Sequence, residues 1–247
     1  MSSYLLVHAE SDREYLRGPG DELQTDLGVL EVPEDVEHGQ VLETHLGEPF
    51  HVRRLRGPDL FNHFERTGAP MMPRDIGLVI GHTGAQSGDR VLDAGTGTGV
   101  LSGYLGRIGA DVTTYEIDAE FAENARENMA MGGVSDRVEV RTGDLTDDLD
   151  ALTDGEPFDL ITLDTADAAD VVARAPDLLV PGGYVAVYTP FVEDARDTER
   201  AAREAGLGEV RTMETIQREL TVDDRGTRPS TAGVGHTGYL LFARRIE

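Results

Sequence analysis

The chain has 247 residues, enough for one large domain or for a medium and a small one with ample core. Its 47 acidic residues stand against 22 basic ones, all of them arginine, for a formal charge of −25, and it has no Lys, Cys or Trp. That composition excludes disulfide and thiol chemistry, and the sequence has neither a membrane-length apolar run nor a signal-peptide pattern. Because the acids are spread along the chain rather than gathered in a tail, they fit a protein kept hydrated in a very saline cytoplasm.

Short β-type runs at 4–7, 28–32 and 50–55 alternate with Gly, Pro and acidic turns. They predict a small β-barrel or sandwich domain over 1–57. A short helix near 58–65 leads into a second domain, 58–247, where strands and helices alternate as in a doubly wound sheet. A helix at 75–81 precedes the first strand of that sheet. The run 91–100 then reads as a buried strand ending in Asp93, a loop through Gly95, Gly97 and Gly99, and the start of a helix over 100–107. Such glycines let the backbone turn tightly and let a ligand approach the main chain, while the helix aims its first N–H groups at the loop. A dinucleotide fingerprint starting at Gly95 requires glycine where this chain has Val100, so the spacing opposes that reading.

The β-branched run after Asp111 ends at Glu116, where a carboxylate can accept both ribose hydroxyls of a nucleoside. A helix over 119–131 is stopped by Gly132 and Gly133. A third strand at 138–141 leads to Gly143 and Asp144, and a fourth, beginning at Phe158, ends at Asp164. Four successive strands therefore finish on Asp93, Glu116, Asp144 and Asp164, at the edge where open parallel sheets bind ligands. Each acid has helix N-capping as its competing role. A helix over 170–179, a turn at 181–183, a strand at 184–188 and a helix over 193–204 follow. Runs at 210–222 and 239–244 form a final antiparallel hairpin.

The pattern D-x-G-x-G-x-G beginning at Asp93 resembles motif I of class I S-adenosylmethionine (AdoMet) methyltransferases, and the final hairpin is a further mark of that fold. The segment 217–220 (Gln-Arg-Glu-Leu) and the block 227–240, with Arg228, Gly233, Gly235, His236 and Gly238, resemble the tail of the tRNA (adenine-N1)-methyltransferases. The chain is identified as a haloarchaeal-type member, with the likeness weak over roughly the first 50 residues and good from about residue 70. The resemblance implies a class I, Rossmann-like sheet preceded by a small β domain. It implies AdoMet as cofactor, held by Asp93, Gly95, Thr96, Gly97, Thr98, Gly99, Glu116, Gly143, Asp144 and Asp164, with Asp144 accepting the adenine amino group. It also implies tRNA as partner, methylated in the T-loop at position 58, position 57 or both, by a homotetramer that requires no metal.

Two positions depart from the family. Met72 stands where many members carry an aromatic residue or His, and 164–169 lacks the usual Pro-rich, Trp-containing turn. Met72 can pack on the target base through its thioether, or simply fill core. Adenine N1 gains positive charge on methylation, so a carboxylate beside the exocyclic amino group would stabilise that charge and accept an amino proton. Asp164 is the candidate, with His236 as a second catalytic candidate and Arg228 as a substrate contact. Arg53, Arg54 and Arg56 form the densest basic cluster, suited to phosphates or to ion pairs with the abundant acids. The competing readings are a class I methyltransferase acting on a protein carboxylate or small molecule, and a non-catalytic AdoMet- or RNA-binding subunit.

Overall fold

Alternate residues of the N-terminal strands turn into one cluster, where Leu6, Leu23, Leu30, Val32, Val36, Phe50 and Val52 are buried. The structure, a computed structural model, describes residues 3–232 and 235–247. Gly233 and Val234 of the C-terminal glycine block lie outside the described residues. The chain divides into two units, the first ending at Asp147 and the second beginning at Asp148.

The first unit opens with β1 (Tyr4–His8), β2 (Glu14–Arg17), β3 (Glu22–Thr25), β4 (Gly28–Glu31), β5 (Val41–Glu43) and β6 (Pro49–Arg54). Strands β2-β1-β6-β5 form an antiparallel sheet, and β3 and β4 form a separate hairpin. Leu6 lies opposite both Tyr15 and Val52, which fixes the buried face. The rings of His8 and Tyr15 tilt onto Phe50 with centroids 5.1 and 6.1 Å away.

The linking helix is α1 (Gly57–His63), with a Pro in its first turn and the Arg56 N–H donating to the Asp59 carboxylate at 2.6 Å. The next helix, α2 (Pro73–Thr83), starts two residues earlier than its apolar pattern indicates, because Pro73 is well suited to the first helical position. It stops at Gly84, whose φ of 74° is left-handed.

Then come β7 (Arg90–Ala94), α3 (Val100–Ile108), β8 (Asp111–Glu116), α4 (Ala119–Gly132) and β9 (Val138–Thr142). The three strands are parallel, with Val91 opposite Val112 and Val112 opposite Val138. Arg107 donates to the Leu55 carbonyl at 2.7 Å and to the Gly132 carbonyl at 3.1 Å, tying the chain leaving β6 to the end of α4. Helix α5 (Leu145–Thr153) follows. Leu145, Leu149 and Leu152 carry its helical spacing.

The second unit contains β10 (Phe158–Leu163), α6 (Ala168–Leu178), β11 (Leu179–Thr189), α7 (Val192–Glu204), β12 (Gly208–Glu214), β13 (Leu220–Asp223), β14 (Gly226–Pro229) and β15 (Tyr239–Arg244). Its strands run in the order β12-β15-β11-β10, with β10 and β11 parallel and β15 antiparallel to both neighbours. Two sequence expectations are corrected here. The turn at 181–183 is an irregularity inside β11, where the pairing jumps from Phe158–Leu179 to Leu160–Tyr184 and Gly182 takes a φ of 88°. The run 210–222 is two strands, because β12 pairs with β15 only as far as Glu214 while β13 folds back on β14.

Phe50 is fully buried at the centre of the N-terminal cluster. Phe50→Ala is expected to cost about 3–5 kcal/mol of stability, read from denaturant unfolding of the whole chain.

Candidate active site

Strand β7 delivers the glycine loop. Val91 and Leu92 are fully buried, and Asp93 behind them is 4% exposed. A buried carboxylate must be satisfied by donors. Asp93 Oδ2 accepts from Ser102 Oγ at 2.7 Å and from Thr114 Oγ1 at 2.6 Å, and Thr96 Oγ1 lies 2.5 Å from Thr114 Oγ1. This network joins β7, β8, α3 and the loop from within. The loop backbone is held by Gly95 and Thr96 N–H groups, both donating to the Tyr115 carbonyl at 3.0 and 3.2 Å.

Two loop glycines have distinct structural reasons. A Cβ at Gly99 would lie 2.6 Å from Met129 Cε, so α4 packs directly on the backbone there. A Cβ at Gly97 would find nothing closer than the Gly95 carbonyl at 4.0 Å, and its φ of 50° is left-handed. The loop backbone at Gly97 is therefore open to close approach. Thr96 and Thr98 have buried side chains, at 7% and 3% exposure, so this loop offers main chain rather than hydroxyls.

Glu116, at the end of β8, lies against that open backbone. Its Oε2 accepts from the Gly97 N–H at 2.8 Å and its Oε1 from the Asp118 N–H at 3.1 Å. The Glu116 carbonyl accepts from the Gly143 N–H at 2.9 Å, which brings the loop after β9 alongside. The next residue, Asp144, uses Oδ1 for both the N–H (2.8 Å) and the hydroxyl (2.7 Å) of Thr146. Those bonds hold its carboxyl below the ordinary carboxylate range. Its other oxygen has no partner among the described residues.

The remaining sequence candidates separate clearly. Met72 is the N-cap residue of α2, and its carbonyl accepts from Asp75 and Ile76 while its side chain is partly exposed. Arg53 and Arg54 are exposed on β6, without a carboxylate partner among the described residues. In the second unit, Asp164 is the first exposed residue after the buried end of β10. The N-cap residue of α6 is Asp167, three positions beyond Asp164. Arg228 grips Asp223 across the β13–β14 hairpin through two bonds of 2.9 and 2.8 Å. His236 is exposed, with Nδ1 2.7 Å from Glu214 Oε1, Nε2 3.3 Å from the Pro190 carbonyl, and its ring tilted on Tyr239. First the Glu214 hydrogen bond and then the Pro190 carbonyl raise its pKa. Both ring nitrogens are thus engaged, Nδ1 with a carboxylate and Nε2 with a backbone carbonyl.

Among the described residues no group of three or more His, Asp or Glu is arranged to hold a metal ion. The sequence reading missed Ser102, Thr114 and Asn128, which support the loop through contacts distant in sequence.

A model of the family described as tRNA methyltransferase complex GCD14 subunit matches residues 65–226. The chain belongs to the GCD14 tRNA methyltransferase family. This GCD14-family chain is 32% identical, over 97% of its length and 94% of the relative's, to the tRNA (adenine(57)-N(1)/adenine(58)-N(1))-methyltransferase TrmI of Methanocaldococcus jannaschii. Its fold is that of a SAM-dependent O-methyltransferase from Thermotoga maritima, with a TM-score of 0.77 at 24% identity, covering 100% of this chain and 93% of the other. The same fold occurs in the tRNA (m1A58) methyltransferase TrmI from Aquifex aeolicus, with a TM-score of 0.70 at 22% identity, covering 99% and 97%. The class I α/β fold read from the glycine loop is thereby shown. The 65–226 match leaves out all six N-terminal strands, β1 to β6, and all of β15.

The His236–Glu214 pair of this GCD14-family protein sets a pH dependence. A folded pKa raised above the ordinary 6.5 means that the pair's stabilisation is complete below that value and is lost as pH rises through the folded one. Histidine proton shifts followed by NMR should place the His236 titration above 6.5, and Glu214→Gln should bring it back down.

Proposed function

We propose that the protein transfers the methyl group of S-adenosyl-L-methionine to N1 of an adenine in the tRNA T-loop, at position 58, position 57 or both. The observation that carries the reading is the Gly97–Glu116 hydrogen bond of 2.8 Å, which sets a ribose-type carboxylate against the open part of the glycine loop. The donor set fits a sulfonium nucleoside. Glu116 accepts the ribose hydroxyls, the unpartnered oxygen of Asp144 accepts the adenine amino group, and the backbone from Gly95 to Gly99 permits close contact with the remainder. Bound AdoMet supplies an electrophilic methyl group. Asp93 acts from behind, holding the loop through Ser102 and Thr114.

The chain's own chemistry is then brought to the acceptor base. Asp164 stands beside the exocyclic amino group, stabilises the positive charge that grows on the ring and accepts an amino proton. His236, whose pKa the Glu214 bond raises, contributes as a hydrogen-bond donor. Met72, exposed at the start of α2, packs on the flipped base, which must leave its stack to be modified. Arg53 and Arg54 contact phosphates from the N-terminal domain of residues 1–57, a role supported by their exposure and their lack of carboxylate partners. Arg228 can contribute only by keeping or exchanging its two-pronged bond to Asp223.

The protein acts as a homotetramer in a saline cytoplasm. The acidic, lysine-free composition supports the salt. Exposed Ile216, Leu220 and Val222, apolar groups on a strongly charged chain, support a subunit contact that covers them.

Incubation with AdoMet and unmodified tRNA transcripts in molar salt, followed by digestion and mass spectrometry, should yield 1-methyladenosine. Asp164→Asn should bind AdoMet normally and lose methylation by about a hundredfold or more; unchanged turnover would remove Asp164 from the mechanism. Glu116→Ala should instead weaken AdoMet binding, measured calorimetrically, by about tenfold or more for a lost charge-assisted pair of bonds.

A further inference from the structure

Asn128 lies on α4 and is completely buried. An amide side chain placed there costs stability unless its polar atoms are bonded, and these are bonded to two distant segments. Its Oδ1 accepts from the Glu65 N–H at 3.0 Å, and its Nδ2 donates to the Glu65 carbonyl at 2.9 Å. The same Nδ2 donates to the Thr98 carbonyl, inside the glycine loop, at 3.0 Å. One side chain therefore brackets the peptide groups of Glu65 as a neighbouring strand would, while it holds the loop.

Neighbouring contacts repeat the connection. The Thr67 N–H donates to Thr98 Oγ1 at 3.3 Å. Phe64 packs so closely on α4 that a Cβ at Gly132 would lie 3.0 Å from its ring, and Met129, the residue after Asn128, covers Gly99. The segment after Glu65 leads to Met72 at the start of α2.

We infer that Asn128 is a positioning residue that couples the glycine loop to the 65–72 segment, so that cofactor binding at the loop orders the wall carrying Met72, and ordering that wall tightens cofactor binding. The inference rests on the proposed AdoMet-dependent function. Its physical content is linkage: both segments share one buried amide, so fixing either lowers the entropic cost of fixing the other.

The test compares folded Asn128→Asp and Asn128→Ala with Val172→Ala, a fully buried position on α6 in the second unit. Asn128→Asp keeps the shape and the acceptor for Glu65 N–H but sets a carboxylate against two carbonyls. By calorimetry with AdoMet, both Asn128 variants should bind about tenfold more weakly, whereas Val172→Ala should stay within about twofold of wild type. Amide hydrogen exchange on the wild-type chain provides a measurement independent of variant folding. Saturating AdoMet should slow exchange of the Glu65 and Thr67 amides about tenfold. Wild-type affinity in the Asn128 variants, an equal loss in Val172→Ala, or exchange at Glu65 and Thr67 indifferent to AdoMet would each overturn the coupling. A wild-type chain that binds no AdoMet would overturn the functional reading beneath it.

Discussion

The buried carboxylate of Asp93 is the constraint on which the site depends. A charge at 4% exposure is tolerable only when donors surround it, and Ser102 and Thr114 supply two from different elements. Satisfying Asp93 therefore sets where α3 begins and where β8 lies relative to β7, and through Thr96 it sets the start of the glycine loop. The three left-handed glycines can then turn without strain, with the backbone at Gly97 open to a ligand and Gly99 pressed under Met129. The same loop offers its Gly97 N–H to Glu116, so two carboxylates hold it, one from within and one from the open edge.

Charge poses the opposite problem. A formal charge of −25 opposes a polyanionic partner at low salt. At about 1 M salt the Debye length falls to roughly 3 Å, so the bulk charge no longer reaches the ligand and recognition passes to short-range contacts. Arginine suits that regime, because a planar fork makes directed bonds that a lysine ammonium does not. Most arginines whose partners are known here already bind an acid or a carbonyl, as Arg228 does with Asp223 and Arg107 with Leu55 and Gly132. Arg53 and Arg54, exposed on β6, are among those without a carboxylate partner among the described residues.

Burial without charge matters equally at Asn128. The inward stripe of α4 is made of Ala122, Ala125, Met129 and Gly132, small or flexible groups that let neighbouring backbones come close. A polar residue within that stripe is a signal visible in the sequence, yet only its partners give it meaning. The same holds for His236. Its place in a glycine-rich block is visible in the sequence, but its pairing with Glu214, which raises its pKa, is set by the fold.

The sequence by itself determined the parts whose physics is local. A strand, an acid, alternating glycines and a helix start are fixed by backbone conformation and side-chain period within about ten residues, and so β7, its loop and α3 were legible to within a residue at their ends, as were Glu116 and the helix after it. Where an element's identity depended on its pairing, local pattern was insufficient. The break at Glu214 and the irregularity inside β11 exist because β15 and β10 offer partners only over part of each run. Tertiary structure alone decided which buried polar atoms meet: Asp93 with Thr114, Asn128 with Glu65 and Thr98, and His236 with Glu214. Those pairs span tens of residues, and a hydrogen bond depends on distance in space, which the spacing along the chain does not encode.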